Sequence, residues 1–416
     1  MFLSLTSHQS LRAWQLLAIF GLAVAARWGF LVMQGLGGEP STLALPDEQQ
    51  YWLMAQALRD GEPMADELGF VATRMPLFPS FLALFPGTNA GVIAARIVLA
   101  AIGSLAALLT ALLAGRVIGP SAGLLAGLLV AFDPALVGLS SLLLTEAPFV
   151  VAVVALWLVG WPLGKADTHR NDWPRWLKVG LLAALTVYLR PSGILLIGGW
   201  LIFLMIRRGL RRWRTWLGAA MVAAIVLLSL TPWAWRNWRL TADWCWLTHR
   251  MGISLYDGVG PQATGASSLS NIKNMPAVAD LDETAWNRWF VEQSFASIRH
   301  DPGRIVRLAV VKLGRTWRPW PVAEDFSSPA VRLVFAAWSI PFFALAIAGL
   351  VLLWRRHRAV CIAVLIPVLY VCVLHSVFVG SLRYRVVTTP LLAIAVASAL
   401  VTIGRRWRSQ DHPDHT

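Results

Sequence analysis

Runs of about twenty apolar residues with almost no charge recur along this chain, and such a run is what a helix needs to cross the hydrocarbon core of a bilayer. Ten are expected to span: about 12 to 34, 89 to 115, 120 to 138, 142 to 161, 175 to 189, 192 to 206, 213 to 235, 332 to 354, 359 to 378 and 384 to 404. The fifth and sixth are short and meet at Arg190-Pro191, where proline removes a donor and turns the preceding residue away from helix, which predicts a tight hairpin. The first run is too long for a cleaved signal and reads as a retained span. Composition agrees. Of the 416 residues, 57% are hydrophobic and 14% charged, against about 45–50% and about 25% in soluble domains. The expected class is an all-α polytopic membrane protein of about ten transmembrane helices with two long extracytoplasmic loops.

Basic residues orient the set, because short loops rich in Lys and Arg stay in the cytoplasm. With the N-terminus inside, 17 of the 36 basic residues fall in cytoplasmic segments, including Arg12, Arg116, Lys165, Arg170, Arg207, Arg208, Arg355 and Arg405, against only Asp167, Asp172, Asp411 and Asp414 of the 22 acids. Nearly all of the net +14 is therefore a topology signal, and the nucleic-acid partner that a strongly basic chain otherwise invites loses its support. The resulting organisation is an N-terminal transmembrane module (1–235) with a first extracytoplasmic loop at 35–88, a second extracytoplasmic region at 236–331, C-terminal transmembrane helices at 332–404 and a cytoplasmic tail at 405–416. The 22 tryptophans suit a large membrane boundary. Cys245, Cys361 and Cys372 are too scattered for a disulfide framework or a zinc knuckle.

Chemistry is expected on the outer side, which holds eighteen of the 22 acids, seven of them in the first loop. Asp47-Glu48 follows Pro46 and precedes a helix-like stretch, Gln49 to Leu58, carrying Tyr51 and Trp52. One reading makes Asp47 the cap of that helix with Gln50 in the reciprocal position; the other aims one carboxylate at a substrate. Glu146 reads either as a first-turn carboxylate behind Thr145 or as a site residue, and Asp133 as a turn before proline. Outer arginines run against the orientation rule: Arg74, Arg190, Arg236, Arg383 and Arg385. Guanidinium suits bidentate binding of phosphate or carboxylate, so these point to an anionic, membrane-borne substrate. Arg239, Arg315 and Arg318 read as arginines reaching for lipid headgroups. No Gly-rich phosphate loop with its Lys-Ser/Thr pair and no His-Glu-x-x-His zinc helix is present. His249, His300 and His375 read as local hydrogen-bonding residues.

These motifs fall in a familiar order. The acidic pair with a following tyrosine (Asp47-Glu48-Gln49-Gln50-Tyr51) comes first, then Arg74-x-Pro76-Leu77-Phe78-Pro79, Leu144-Thr145-Glu146 and Leu189-Arg190-Pro191. Pro232-Trp233-x-x-Arg236-Asn237 and Arg383-Tyr384-Arg385 complete it. The chain resembles the polytopic glycosyltransferases of the GT-C superfamily, the type that includes protein O-mannosyltransferases and lipid A aminoarabinose transferases, from about residue 10 to 404. The resemblance implies inverting transfer of a sugar from a polyprenyl-phosphate carrier, such as undecaprenyl phosphate, to an extracytoplasmic acceptor that is a lipid, glycan or protein. The setting it implies is a bacterial inner membrane with the active site facing away from the cytoplasm. It implies Asp47 as catalytic base with Glu48 as partner, Glu146 as the second acid, and Arg74, Arg190, Arg236, Arg383 and Arg385 as donor-phosphate ligands. Tyr51, Asn237 and Tyr384 shape the substrate site. No cofactor is required, and a divalent metal is left open because the carboxylates are able to hold one or to act alone. The alternative is a transporter or flippase for an anionic lipid-linked solute, which predicts functional charges in mid-span in both halves.

Overall fold

The structure is a computed structural model that describes residues 11–34, 43–164, 171–322 and 328–410. Glu39, Lys165, Asp167, Arg170, Asp411 and Asp414, with the adjoining loop and tail segments, lie outside them. All regular structure among the described residues is helical. In chain order the helices are α1 (Ala13–Met33), α2 (Pro46–Arg59), α3 (Leu77–Leu82), α4 (Asn89–Val117), α5 (Pro120–Phe132), α6 (Pro134–Leu139) and α7 (Glu146–Gly160). Next come α8 (Trp173–Leu189), α9 (Gly193–Arg208), α10 (Trp213–Thr241), α11 (Met251–Val259), α12 (Leu269–Lys273), α13 (Glu283–His300) and α14 (Pro302–Trp317). The last four are α15 (Pro329–Arg356), α16 (Arg358–Val377), α17 (Leu382–Arg385) and α18 (Thr389–Gln410).

Seven helical stretches among the described residues are long and apolar enough to cross a bilayer: α1, α4, α7, α10, α15, α16 and the run from α17 into α18. The other three expected spans are not among these seven. The α8 and α9 helices have 17 and 16 residues. At about 1.5 Å per residue each is roughly 25 Å long, less than a core of about 30 Å. They form the expected hairpin, with Arg190 extended and the Gly193 amide donating to the Arg190 carbonyl at 2.9 Å. The expected span at 120–138 is broken at Asp133-Pro134 into α5 and α6. Pro134 has no N–H for the carbonyl of Val130 four residues back. The buried Arg27 of α1 repairs this, donating to the carbonyls of Val130 at 3.4 Å and Ala131 at 3.2 Å and to Ser140 Oγ at 3.2 Å. Asp133 caps α6 through the Leu136 amide at 2.9 Å.

Lipid is as apolar as the helices, so helices associate in a bilayer through close backbone approach rather than hydrophobic burial. The α4 helix buries Ala95, Ala100, Gly103, Ala107, Ala111 and Ala114. A Cβ on Gly103 would stand 2.6 Å from Ser140 Oγ, and one on Gly349 of α15 would stand 1.9 Å from the Ala395 carbonyl oxygen of α18. Trp157 and Trp200 stack at 4.3 Å between α7 and α9.

The two loop regions interlock. Glu283, in the first turn of α13, accepts the amides of Val71 at 2.7 Å and Ala72 at 2.8 Å, and the His249 amide donates to the Ala72 carbonyl at 3.0 Å. This fixes the strand of loop that carries Arg74. A small core of Ile253, Ile272, Val278, Trp286 and Phe290 holds α11 to α13 together beside it.

Candidate active site

The N-cap of α2 is Leu45, so Asp47 sits in the first turn and makes no cap bond; Glu48 instead accepts the Leu45 amide at 3.2 Å. Pro46 at the first helical position sets this register. One residue of helix rotates a side chain by about 100°, which sends the two adjacent carboxylates in different directions. Glu48 is fully buried and saturated: besides Leu45 it accepts Arg96 at 3.1 Å and the Leu143 amide at 2.8 Å. It pins α2 to α4 and to the chain entering α7, behind the site.

Asp47 faces a cavity of about 2040 Å3, at whose polar end chain segments far apart in sequence meet. Its Oδ1 contacts Arg74 and, at 3.6 Å, Arg250; its Oδ2 accepts from Arg383. Gln50 Oε1 accepts from Arg74 Nε at 2.7 Å and from Arg250 at 3.1 Å. Arg74 also donates to the Tyr51 hydroxyl at 3.2 Å and lies 4.7 Å over its ring. Glu146, in the first turn of α7, pairs with Arg190 at 3.1 Å and with Arg383 Nε at 3.6 Å, so Arg383 joins both carboxylates. Tyr384 accepts from Arg383 at 3.1 Å, and its ring lies 5.4 Å under Arg190. No cap bond is made by the Thr145 side chain.

Four guanidinium groups therefore face two carboxylates. Burial opposes ionisation of Asp47, but Arg383, Arg74 and Arg250 outweigh it and hold the carboxyl well below the usual range. Burial and the neighbouring Arg74 bring Arg250 down to about 10, which leaves it charged at neutral pH. The rest of the cavity wall is largely apolar, contributed by Gly29, Phe30 and Met33 of α1, Val137 of α6, and Val334 and Phe335 of α15. Among the described residues no group of three or more His, Cys, Asp or Glu side chains is placed to hold a metal ion.

The expected site residues thus divide. Asp47, Tyr51, Arg74, Glu146, Arg190, Arg383 and Tyr384 line one cavity. Glu48, Arg236, Asn237 and Arg385 do not reach it, and each has structural work instead. Arg236 donates to the carbonyls of Val71 at 2.6 Å and Met64 at 3.4 Å, clamping the first loop, and Asn237 donates to the Cys245 carbonyl at 2.9 Å. Arg385 turns away from Arg383, onto the carbonyls of Thr316 and Arg318 and the hydroxyl of Ser339. Asp133, besides its cap, accepts from Trp338 at 3.0 Å. Among the groups in the cavity wall that sequence did not single out for the site are Arg250, a lone basic residue in a long loop, and His375 at the end of α16.

Residues 76–235 match the family described as dolichyl-phosphate-mannose-protein mannosyltransferase. No curated protein matches the chain in sequence. In three dimensions the apo crystal structure of the Archaeoglobus fulgidus oligosaccharyltransferase is similar with a TM-score of 0.62 at 15% identity, over 96% of this chain and 52% of that one. The A. fulgidus oligosaccharyltransferase AglB, in complex with an inhibitory peptide and a dolichol-phosphate, gives 0.59 at 14%, over 97% and 52%. The chain thus spans about half the length of these archaeal structures. ArnT from Cupriavidus metallidurans bound to undecaprenyl phosphate gives 0.46 at 14%, over 96% and 80%. The fold is that of the GT-C glycosyltransferases.

Proposed function

We propose that this chain, built on the GT-C fold, transfers a sugar with inversion from a polyprenyl-phosphate carrier to an acceptor on the extracytoplasmic side of a bacterial plasma membrane. The observation that carries the reading is the excess of guanidinium over carboxylate at one end of a large cavity whose other walls are mostly apolar. A ligand with an anionic head and a hydrocarbon tail complements both parts. The family match over residues 76–235 and the fold likeness to an oligosaccharyltransferase seen with a dolichol-phosphate support the same carrier class.

The chemistry follows from the charges. A polyprenyl phosphate leaves readily once its negative charge is met, and Arg74, Arg190, Arg250 and Arg383 are the groups to meet it. Preorganised donors of this kind are worth about 10²–10³ in rate each. A phosphate that draws on these arginines competes with Asp47 for them, so donor binding loosens Asp47 and restores its basicity towards an ordinary carboxylate. In this reading Asp47 then takes the proton of the acceptor hydroxyl or amine, a contribution of about 10²–10⁴. Glu146 holds Arg190 and Arg383 in place, Tyr51 orients Arg74 and Tyr384 orients Arg383. One in-line displacement inverts the anomeric carbon. The spent lipid phosphate stays in the bilayer, which accounts for a membrane-embedded enzyme. A transporter would need comparable charges serving both halves, whereas these converge on one end of one cavity.

The test is direct. The full chain in nanodiscs should bind undecaprenyl phosphate, and Arg190→Ala with Arg383→Ala together should abolish that binding. A wild-type chain that binds no polyprenyl phosphate sinks the proposal.

A further inference from the structure

His375 is 5% exposed, and its ring is held on two sides. Nδ1 lies 2.8 Å from the Val379 carbonyl oxygen. A carbonyl only accepts, so Nδ1 carries the proton. The ring stacks on Tyr384, with centroids 4.3 Å apart and planes within 7°. Nε2 is thereby left with its lone pair and has no hydrogen-bond partner among the described residues, yet it is not sealed in. His375 borders both the main cavity and a small side pocket formed with Glu146, Arg190, Tyr370, Arg383 and Tyr384. No carboxylate pairs with the imidazole among the described residues, and an imidazole without an anionic partner is uncharged above neutral pH.

The remaining groups around the side pocket are engaged. Glu146 is taken by two arginines, and the Tyr370 hydroxyl is bonded to Ser192 Oγ at 2.8 Å. What is left is a set of guanidinium donors and one neutral acceptor. A hydroxyl satisfies both, donating to Nε2 while accepting from an arginine; a phosphate oxygen has no proton to give Nε2. We infer that His375 Nε2 accepts a hydrogen bond from a hydroxyl of the transferred sugar, which makes His375 a substrate-binding residue and a determinant of sugar selectivity. The inference rests on the glycosyl-transfer reading above.

The experiment compares two probes on the full chain in nanodiscs: farnesyl phosphate, and farnesyl phosphate carrying mannose, glucose, galactose or N-acetylglucosamine. At least one sugar-bearing probe should bind the wild type more tightly than farnesyl phosphate. His375→Phe keeps a ring to stack on Tyr384 and lacks the acceptor. It should leave the farnesyl phosphate Kd within about twofold and weaken the preferred sugar-bearing probe about 3- to 10-fold, the scale of one neutral hydrogen bond. His375→Gln, which restores an acceptor oxygen, should recover part of that loss. Equal weakening of both probes would mark a packing role and overturn the inference. So would unchanged affinity for the sugar-bearing probe, or no sugar preference in the wild type. A wild type that binds neither probe defeats the glycosyl-transfer reading itself, and the inference with it.

Discussion

The α8–α9 hairpin carries a buried arginine cluster at each end, and the two behave differently. At the end where α8 begins and α9 finishes, Asp172 accepts from Arg208 at 2.7 Å and Arg175 at 3.4 Å, and Arg208 also donates to the Leu163 carbonyl at 3.1 Å. Arg175 keeps 27% of its side chain exposed, and none of these groups borders the cavity. At the tip, Arg190 joins three other guanidinium groups and two carboxylates facing open volume. A buried ion pair alone therefore does not mark a site. A charge excess that faces empty space does, because it stays unmet until a ligand arrives.

Substitutions at the two ends test that contrast. Asp47→Asn should lower transfer by about 10²–10⁴ while tightening undecaprenyl phosphate binding, because the arginines lose their competitor; labelled transfer and a phosphate titration read the two effects. Undiminished transfer would remove Asp47 from the base role. Arg383→Ala, which severs both carboxylates from a shared partner, should lower transfer by about 10²–10³, visible as a higher donor KM, a lower kcat or both. Asp172→Asn at the other end should leave transfer per folded molecule unchanged and lower the unfolding temperature, since weakening a buried pair costs about 1–3 kcal/mol. A loss of transfer matching that of Arg383→Ala would erase the distinction.

At the junction of the two loops the expected effect is on stability and its pH dependence. Burial opposes the charge of His249, which lies 3.4 Å from Glu283 and 3.1 Å from Asp243, but the neighbouring Cys245 and Glu283 outweigh it and raise its pKa to about 10. A folded pKa above the unfolded value of about 6.5 stabilises fully below that value, and the contribution is lost as the pH rises through the folded one. The thermal midpoint should therefore fall between about pH 6.5 and 10, and His249→Phe should flatten that slope.

Sequence resolved the helical membrane class and the Arg190-Pro191 hairpin because hydropathy and proline act locally. Run length alone does not show where a helix breaks: Pro134 divides one expected run, while α8 and α9 are as short as their runs predict. Asp47 and Glu48 show the limit for the site. They are neighbours of the same chemical type, and only the register set by Pro46 decides which one meets the cavity. Arg236 and Arg385 carry the same outer-side signal as Arg190 and Arg383, yet backbone carbonyls that no sequence pattern reveals take them up. Arg250 reaches the site through the folding of α11 against α13, a packing of side chains without periodic trace.

The repair of the α5–α6 break by Arg27 also bears on how the protein is made. Arg27 emerges from the ribosome more than a hundred residues before the carbonyls of Val130 and Ala131 that it will bind. Until they arrive, the first helix carries an arginine costing about 2.5–3.5 kcal/mol in lipid. Stable lodging of that helix is thus tied to synthesis of a segment four helices downstream, and biogenesis of the amino-terminal bundle becomes a cooperative event rather than a sequential threading of independent anchors.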